Sequence, residues 1–217
     1  MRSKFDEQLN KLNRELIEMG ALCEQIIAMA AKALSEKNLT AKNDISAIDS
    51  EIDQKEHEIE AMCLKMILQQ QPVAKDLRQI SAALKMITDM ERIGDQAYDI
   101  AEIISFLKKH PEEECAYISQ MAQAAIKMVT ESVDAYVRQD LSLAKKIMEY
   151  DDVLDDYFVK TRESLIRMIA QNPNSGEYAI DLLMIAKYFE RIGDHATNIA
   201  EWVEFSLTGI HKGEVEL

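Results

Sequence analysis

Four pairs of acidic residues at i,i+4 spacing carry the chemistry available to this chain: Asp49/Asp53, Glu91/Asp95, Asp151/Asp155 and Glu190/Asp194. Residues four apart on a helix share a face, and two ionised carboxylates so placed repel by roughly a few tenths of a kcal/mol per pair. A bound cation offsets that repulsion, and carboxylates are the hard oxygen donors that Mg2+, Mn2+, Ca2+ or iron accept. Two of the pairs lie in a duplicated block. Residues 91–102 (ERIGDQAYDIAE) recur as residues 190–201 (ERIGDHATNIAE), with nine of twelve positions identical. Only Gln96/His195, Tyr98/Thr197 and Asp99/Asn198 differ.

The elements that must position these groups are helices. Six Gly and three Pro in 217 residues, with twelve Met and 29% charged residues, suit an all-α chain. Apolar residues recur at helical spacing between a few turn signals. The pattern predicts helices over about 4–36, 40–70, 75–109, 112–138, 141–171 and 176–208, bounded at Lys37-Asn38, Gln71-Pro72, His110-Pro111, Gln139-Asp140 and Asn172-Pro173. Long helices joined by short connections pack antiparallel. The expected architecture is therefore two tandem, duplicated three-helix bundles, residues 1–110 and 111–217.

At 100° per residue, Glu91, Asp95, Asp99 and Glu102 fall within about 80° of arc. Ile93, Ala97, Ile100 and Ile104 fall on roughly the opposite side, where the core should be. The second block divides alike, with Glu190, Asp194, Asn198 and Glu201 against Ile192, Ala196, Ile199 and Val203. The acidic stripes are expected outside the core.

Hairpin geometry then brings the pairs together. Asp53 and Glu91 each stand 19 residues from Pro72, and Asp49 and Asp95 each stand 23 from it. Around Pro173 the separations are 18 and 17 for Asp155 and Glu190, and 22 and 21 for Asp151 and Asp194. Equal distances from a turn mean equal heights in an antiparallel pair. Each hairpin should therefore gather four carboxylates, a donor set for a divalent or trivalent ion such as Fe, Mn or Mg. His57 and His195 would add nitrogen character suited to Fe or Zn. His57, Asp99, Glu102, His195, Asn198 and Glu201 are accessory candidates.

A plainer account stands beside each of these. One acidic stripe by itself is a solvated face, and His57 and His195 taken singly are ordinary surface histidines. Arg92 and Arg191 pair with neighbouring carboxylates at i,i+3 or fix ligand rotamers. Gly94 and Gly193 cost about 1 kcal/mol each relative to Ala, which points to close approach of a neighbouring helix or ion. The methionines read as core filler.

The net charge of −14 argues against nucleic acid and against docking on an anionic membrane leaflet. No apolar run reaches the roughly 18 residues a membrane span needs, and the first residues lack the apolar core of a signal peptide. Cys23, Cys63 and Cys115 are odd in number and widely spaced, which reads as reduced thiols in a cytoplasmic protein.

At Pro72-Val73-Ala74-Lys75-Asp76-Leu77-Arg78, at residues 89–95 (DMERIGD) and at residues 190–201, the chain resembles the PhoU family of phosphate-specific transport accessory and regulatory proteins. The resemblance spans nearly the whole length. It implies a cytoplasmic homodimer of two similar three-helix bundles that damps phosphate-starvation signalling. Such a protein acts between the phosphate ABC transporter with its ATPase and a membrane sensor histidine kinase, and limits phosphate uptake. It also implies surface metal clusters at E/D-x-x-x-D motifs, which here match the four acidic pairs. Gln96 and Asp99 depart from the family's usual His and Asn, and Glu60 faces Arg162 across the duplication, so the two sites should differ in charge.

Two other functions stand beside this one. A di-iron carboxylate enzyme needs Glu-x-x-His pairs aimed into a four-helix core, and none of the four histidines has Glu three residues before it. A metal-free helical scaffold needs no such signature. No nucleophile–base pair, Gly-rich phosphate loop or basic anion pocket is legible. The expectation is a non-enzymatic regulator that does not bind phosphate itself.

Overall fold

A computed structural model of the chain describes residues 2–70, 72–107 and 116–210. Six helices run through them: α1 (Arg2–Ser35), α2 (Lys42–Gln70), α3 (Ala74–Phe106), α4 (Ala116–Arg138), α5 (Leu141–Gln171) and α6 (Gly176–Thr208), with one 3-10 turn, Pro173–Ser175, before α6. No strand occurs among the described residues. Gln71, the expected helix ends at 108–109 and 112–115, the break at His110-Pro111, the Cys115 thiol and the tail after residue 210 lie outside them.

α1, α2 and α3 pack on one another, as do α4, α5 and α6, so the molecule is two three-helix bundles in tandem. The bundles join along two seams, α3 against α6 and α1 against α4. Both seams are antiparallel. Asp89 of α3 meets His195 and Asn198 of α6, and Thr130 of α4 meets Glu24 of α1. The repeats are thus related by a pseudo-twofold axis across the helices. A buried bond ties them: the Tyr136 hydroxyl on α4 donates to the Gln79 carbonyl on α3 at 2.9 Å.

The apolar stripes fill the core as the periodicity requires. Ile93, Ala97, Ile100 and Ile104 are buried in α3, as are Ile192, Ala196, Ile199 and Val203 in α6. Each such side chain removed from water contributes roughly 1.5–3 kcal/mol when large. Six methionines, Met19, Met66, Met86, Met90, Met121 and Met128, are core residues, and Cys23 and Cys63 are buried free thiols.

The duplication extends to the ends of helices. α1 and α4 both terminate on a non-glycine residue in the left-handed region, Lys37 at φ 53° and Gln139 at φ 54°. Both close with the same pair of bonds, Asn38 N–H to Ala33 O and Asp140 N–H to Ala135 O, each 2.9 Å, which satisfies carbonyls the helix leaves unpaired. The following helices start differently. Asp140 caps α5 by accepting from the Leu143 N–H at 3.0 Å. Asn38 instead accepts from both the N–H and the hydroxyl of Thr40. That local turn delays α2 to Lys42, two residues later than its apolar pattern suggests. At the far end Gly209, φ 81°, closes α6, and Arg78 packs against it. A guanidinium there complements the negative end of the helix dipole.

Candidate functional site

The α2–α3 and α5–α6 hairpins each form a groove floored by core residues and rimmed by the acidic pairs. In the first, Asp49 is partly buried, and its Oδ1 is shut off from solvent with no hydrogen-bond partner. Its pKa is pushed up to about 6, first by burial and then by Asp53, Asp95, Glu91 and Asp99. Glu91 is raised by burial and by Asp95, with Arg92 working against the rise. Three of the four charges felt by Asp49, those of Asp53, Asp95 and Glu91, belong to residues that the equal-height reading brings together, and Asp99 is the fourth. Asp49, Glu91 and Asp95 are half-buried and Asp53 is exposed, so the stripe borders the core.

In the second groove Asp151 is raised by burial and then by Asp155, with the neighbouring Thr197 hydroxyl pulling it back. Asp194 stands at the groove mouth. It too is pushed up to about 6, by lost hydration, then by Glu190 and Asp151, with Lys187 opposing. Two chemically similar grooves therefore sit about the pseudo-twofold axis.

The glycines at residues 94 and 193 make both grooves narrow. A Cβ at Gly94 would stand 3.0 Å from Asp49 Oδ1 and 3.2 Å from Ile52 Cδ1. One at Gly193 would collide with Leu154 Cδ2 and lie 3.6 Å from Asp151 Oδ1. Close approach of a neighbouring helix, together with its carboxylate, is what these positions permit.

Among the described residues no three His, Cys, Asp or Glu side chains stand close enough to hold a metal ion as they are arranged. The donor set nonetheless suits a hard cation. It is all carboxylate, it includes an orphaned buried oxygen, and glycine cradles that oxygen.

The accessory candidates differ in their surroundings. His57 is 78% exposed, and its Nδ1 contacts the Asp53 carbonyl of its own helix at 2.7 Å. That carbonyl, then Glu56, raises its pKa. Glu102 is drawn off by Lys42 at 2.7 Å, and Glu201 is buried in α6. His195 turns out of the groove onto Asp89 of α3, with Nδ1 2.9 Å from Oδ1. Asn198 donates to the same oxygen at 3.2 Å. So His195, an accessory candidate, joins the repeats through its Nδ1. A residue at 140° from Glu190 on the helix circle lies on the flank, which here meets α3.

Asp89, quoted from the sequence only within the family motif, and Tyr188, not singled out there, bear on the departure at Asp99. Asp89 corresponds to Tyr188 across the duplication. Asp89 receives His195 and Asn198, whereas Tyr188 is the neighbour that lowers Asp99, at the place matching Asn198. Acid meets His and Asn on one side of the axis, and phenol meets acid on the other. Nothing along the chain signals this pairing, since it needs the antiparallel α3–α6 contact. Lys187, ion-paired with Glu190, was also missed. Its i,i+3 spacing was the available signal.

The comparisons agree with this geometry. The family model for the PhoU domain matches twice, at residues 16–104 and 118–203. A phosphate-specific transport system accessory protein PhoU homolog of Synechocystis sp. is 35% identical, over 96% of this chain and 93% of that one. A Clostridium acetobutylicum homolog of the same description is 33% identical, over 96% of each. The crystal structure of PhoU from Pseudomonas aeruginosa superposes with TM-score 0.87 at 30% identity, covering 95% of this chain and all of that one. The phosphate transport system regulatory protein PhoU from Streptococcus pneumoniae superposes at 0.89 with 26% identity, covering 98% and 100%. With both repeats matched and the six-helix architecture shared, this chain belongs to the PhoU family.

Proposed function

We propose that this chain is a cytoplasmic regulator of phosphate homeostasis. It represses phosphate-starvation signalling and phosphate uptake when phosphate is plentiful, acting as a homodimer between the phosphate ABC transporter, through its ATPase, and a sensor histidine kinase. The observation that carries this reading is the double family match, together with full-length relatives described as accessory proteins of phosphate-specific transport. No described helix is long and apolar enough to cross a membrane, so contact with a membrane kinase would run through protein surfaces. The exposed apolar side chains Leu64, Leu68, Val73 and Leu77 around the α2–α3 turn suit an adaptor of this kind. Regulation rather than catalysis is the role proposed.

The acidic grooves complete the proposal. Asp49, Asp53, Glu91 and Asp95 would hold one metal ion, and Asp151, Asp155, Glu190 and Asp194 a second, with water filling the remaining positions. A cation there neutralises like charge and pins α2 to α3, or α5 to α6. A metal-free scaffold is the second reading, favoured by the absence of a gathered ligand triad among the described residues.

Deleting the gene tests the regulatory role. Phosphate-responsive genes should stay on in high phosphate, and a pull-down of the restored protein should recover transporter ATPase and kinase. Normal repression in the deletion strain would sink the reading.

A further inference from the structure

The turn end of the α2–α3 hairpin is charged against the rest of the chain. From Ala61 to Thr88 stand four cations, Lys65, Lys75, Arg78 and Lys85, and one acid, Asp76, in a chain whose net charge is −14. Arg78 is occupied at the end of α6, against Gly209. Lys65, Lys75 and Lys85 are exposed, and none of them enters an ion pair among the described residues.

An apolar strip lies among these cations. Leu64 and Leu68 stand one turn apart on α2, and Leu77 stands one turn beyond Val73 at the start of α3. All four are exposed, Leu68 by 82% and Val73 by 60%. Leu68 and Leu77 are four and five residues from Pro72, so they share a height. On the helix circle Leu64 falls within about 40° of Asp53 and Glu60, and Leu77 within about 40° of Glu91. The strip therefore continues the acidic groove toward the turn, where apolar residues and lysines take over. Ile67 and Leu84 beside it pack against the core.

The second repeat keeps the apolar character and neutralises the charge. Ile166 matches Leu64 and Arg167 matches Lys65, but Glu163 stands at the place of Ala61 and pairs with Arg167 at 4.0 Å. Glu177 takes the place of Arg78, and Met184 that of Lys85. From Glu163 to Lys187 three acids, Glu163, Glu177 and Asp181, outnumber two cations, Arg167 and Lys187. Ile166 and Ile180 are exposed there as well, so what sets the first end apart is its positive charge.

Resting on the adaptor reading above, we propose that the turn end of the α2–α3 hairpin docks an amphipathic helix of a partner protein, with apolar side chains against Leu64, Leu68 and Leu77 and acidic flanks on Lys65, Lys75 and Lys85. The acids at Asp53, Glu60 and Glu91 repel such flanks and confine the helix to the turn end, which fixes its register. End-to-end contact with a second copy would set the same lysines against one another. An anionic membrane leaflet would meet the repulsion of the whole acidic chain.

Two synthetic amphipathic helices of about five turns test this, alike in their leucine face but flanked by Glu in one and by Lys in the other. Fluorescence anisotropy with the full chain at low salt should show the Glu peptide binding about tenfold tighter than its Lys twin. Leu64→Ser/Leu68→Ser/Leu77→Ser should abolish binding while leaving the circular dichroism of the fold unchanged, since these side chains are exposed. Lys65→Glu/Lys85→Glu should weaken the Glu peptide about tenfold and favour the Lys twin, an inversion that misfolding does not mimic. The proposal is overturned if neither peptide binds, if the Lys twin binds wild type better, or if the leucine variant still binds. It is equally overturned if that variant abolishes self-association or binding to anionic vesicles, which would assign the strip to a second copy or to lipid. In cells the leucine variant should leave phosphate-responsive genes on in high phosphate, as deletion does. Repression kept by the variant but lost on deletion would refute the docking site and leave the regulatory role standing, whereas repression kept in both would sink the role itself.

Discussion

Neutralising Asp49 should stabilise the metal-free protein and destabilise the metal-loaded one. The carboxyl is held near 6 in the folded chain against 3.8 ordinarily. At about 1.4 kcal/mol per pH unit, that gap costs the folded state at most about 3 kcal/mol once Asp49 is ionised. The groove is open to water on one side, which screens the repulsion, so about 1–1.5 kcal/mol is the working figure. Asp49→Asn keeps the shape, removes the charge and lets an amide donate to the neighbouring carboxylates. In EDTA at pH 7 its melting temperature should exceed that of the wild type by about 3–5 °C, at about 2–4 °C per kcal/mol for a chain of this size. The sign with pH follows from the raised value. Between about pH 6 and 4 the folded state binds a proton that the unfolded state does not yet hold, so the wild type gains stability as pH falls. The advantage of Asp49→Asn should therefore shrink from pH 7 to pH 5 and vanish below about pH 4. Saturating Mn2+ should invert the ranking, since at about a hundred times Kd an ion adds about 2.7 kcal/mol per site that the variant cannot collect. Differential scanning calorimetry with EDTA or Mn2+ reads all three effects. A variant that melts at or below the wild type in EDTA at pH 7 would refute the electrostatic reasoning.

The two groove glycines should respond unequally to alanine. Gly193→Ala gains about 1 kcal/mol of helix propensity but drives its Cβ into the buried Leu154, an overpacking cost of about 1–3 kcal/mol, so a net loss near 1 kcal/mol is expected in denaturant melts. Gly94→Ala should be close to neutral in the same melts yet weaken Mn2+ binding, because it crowds Asp49 Oδ1; an unchanged affinity would count against that oxygen as a ligand. Tyr136→Phe removes the buried bond to the Gln79 carbonyl and should lower stability by about 1 kcal/mol while leaving Mn2+ binding untouched, which calorimetry on one sample can check.

Sequence alone determined the helices, the duplication and the heights of the acids. These follow from local rules: the 3.6-residue period places Ile93 and Ile192 inward, turn residues mark Pro72 and Pro173, and antiparallel counting brings Asp49 level with Asp95. Boundaries slipped where a side chain competed with the backbone, as Asn38 does at the start of α2, and at the end of α3, which stops at Phe106 with Leu107 already off the helix. Tertiary structure decided what each acid and each accessory group faces. The helix circle puts His195 on a flank, but only the antiparallel α3–α6 contact shows that this flank meets Asp89. The same contact joins Asn198 to Asp89 and sets Tyr188 beside Asp99. Long, rotatable side chains such as Lys187 and Lys42 choose partners by distance in space, which periodicity does not encode. Four acids per groove were thus legible from spacing, while the charges that set the two grooves apart depended on which neighbours packing brought against them.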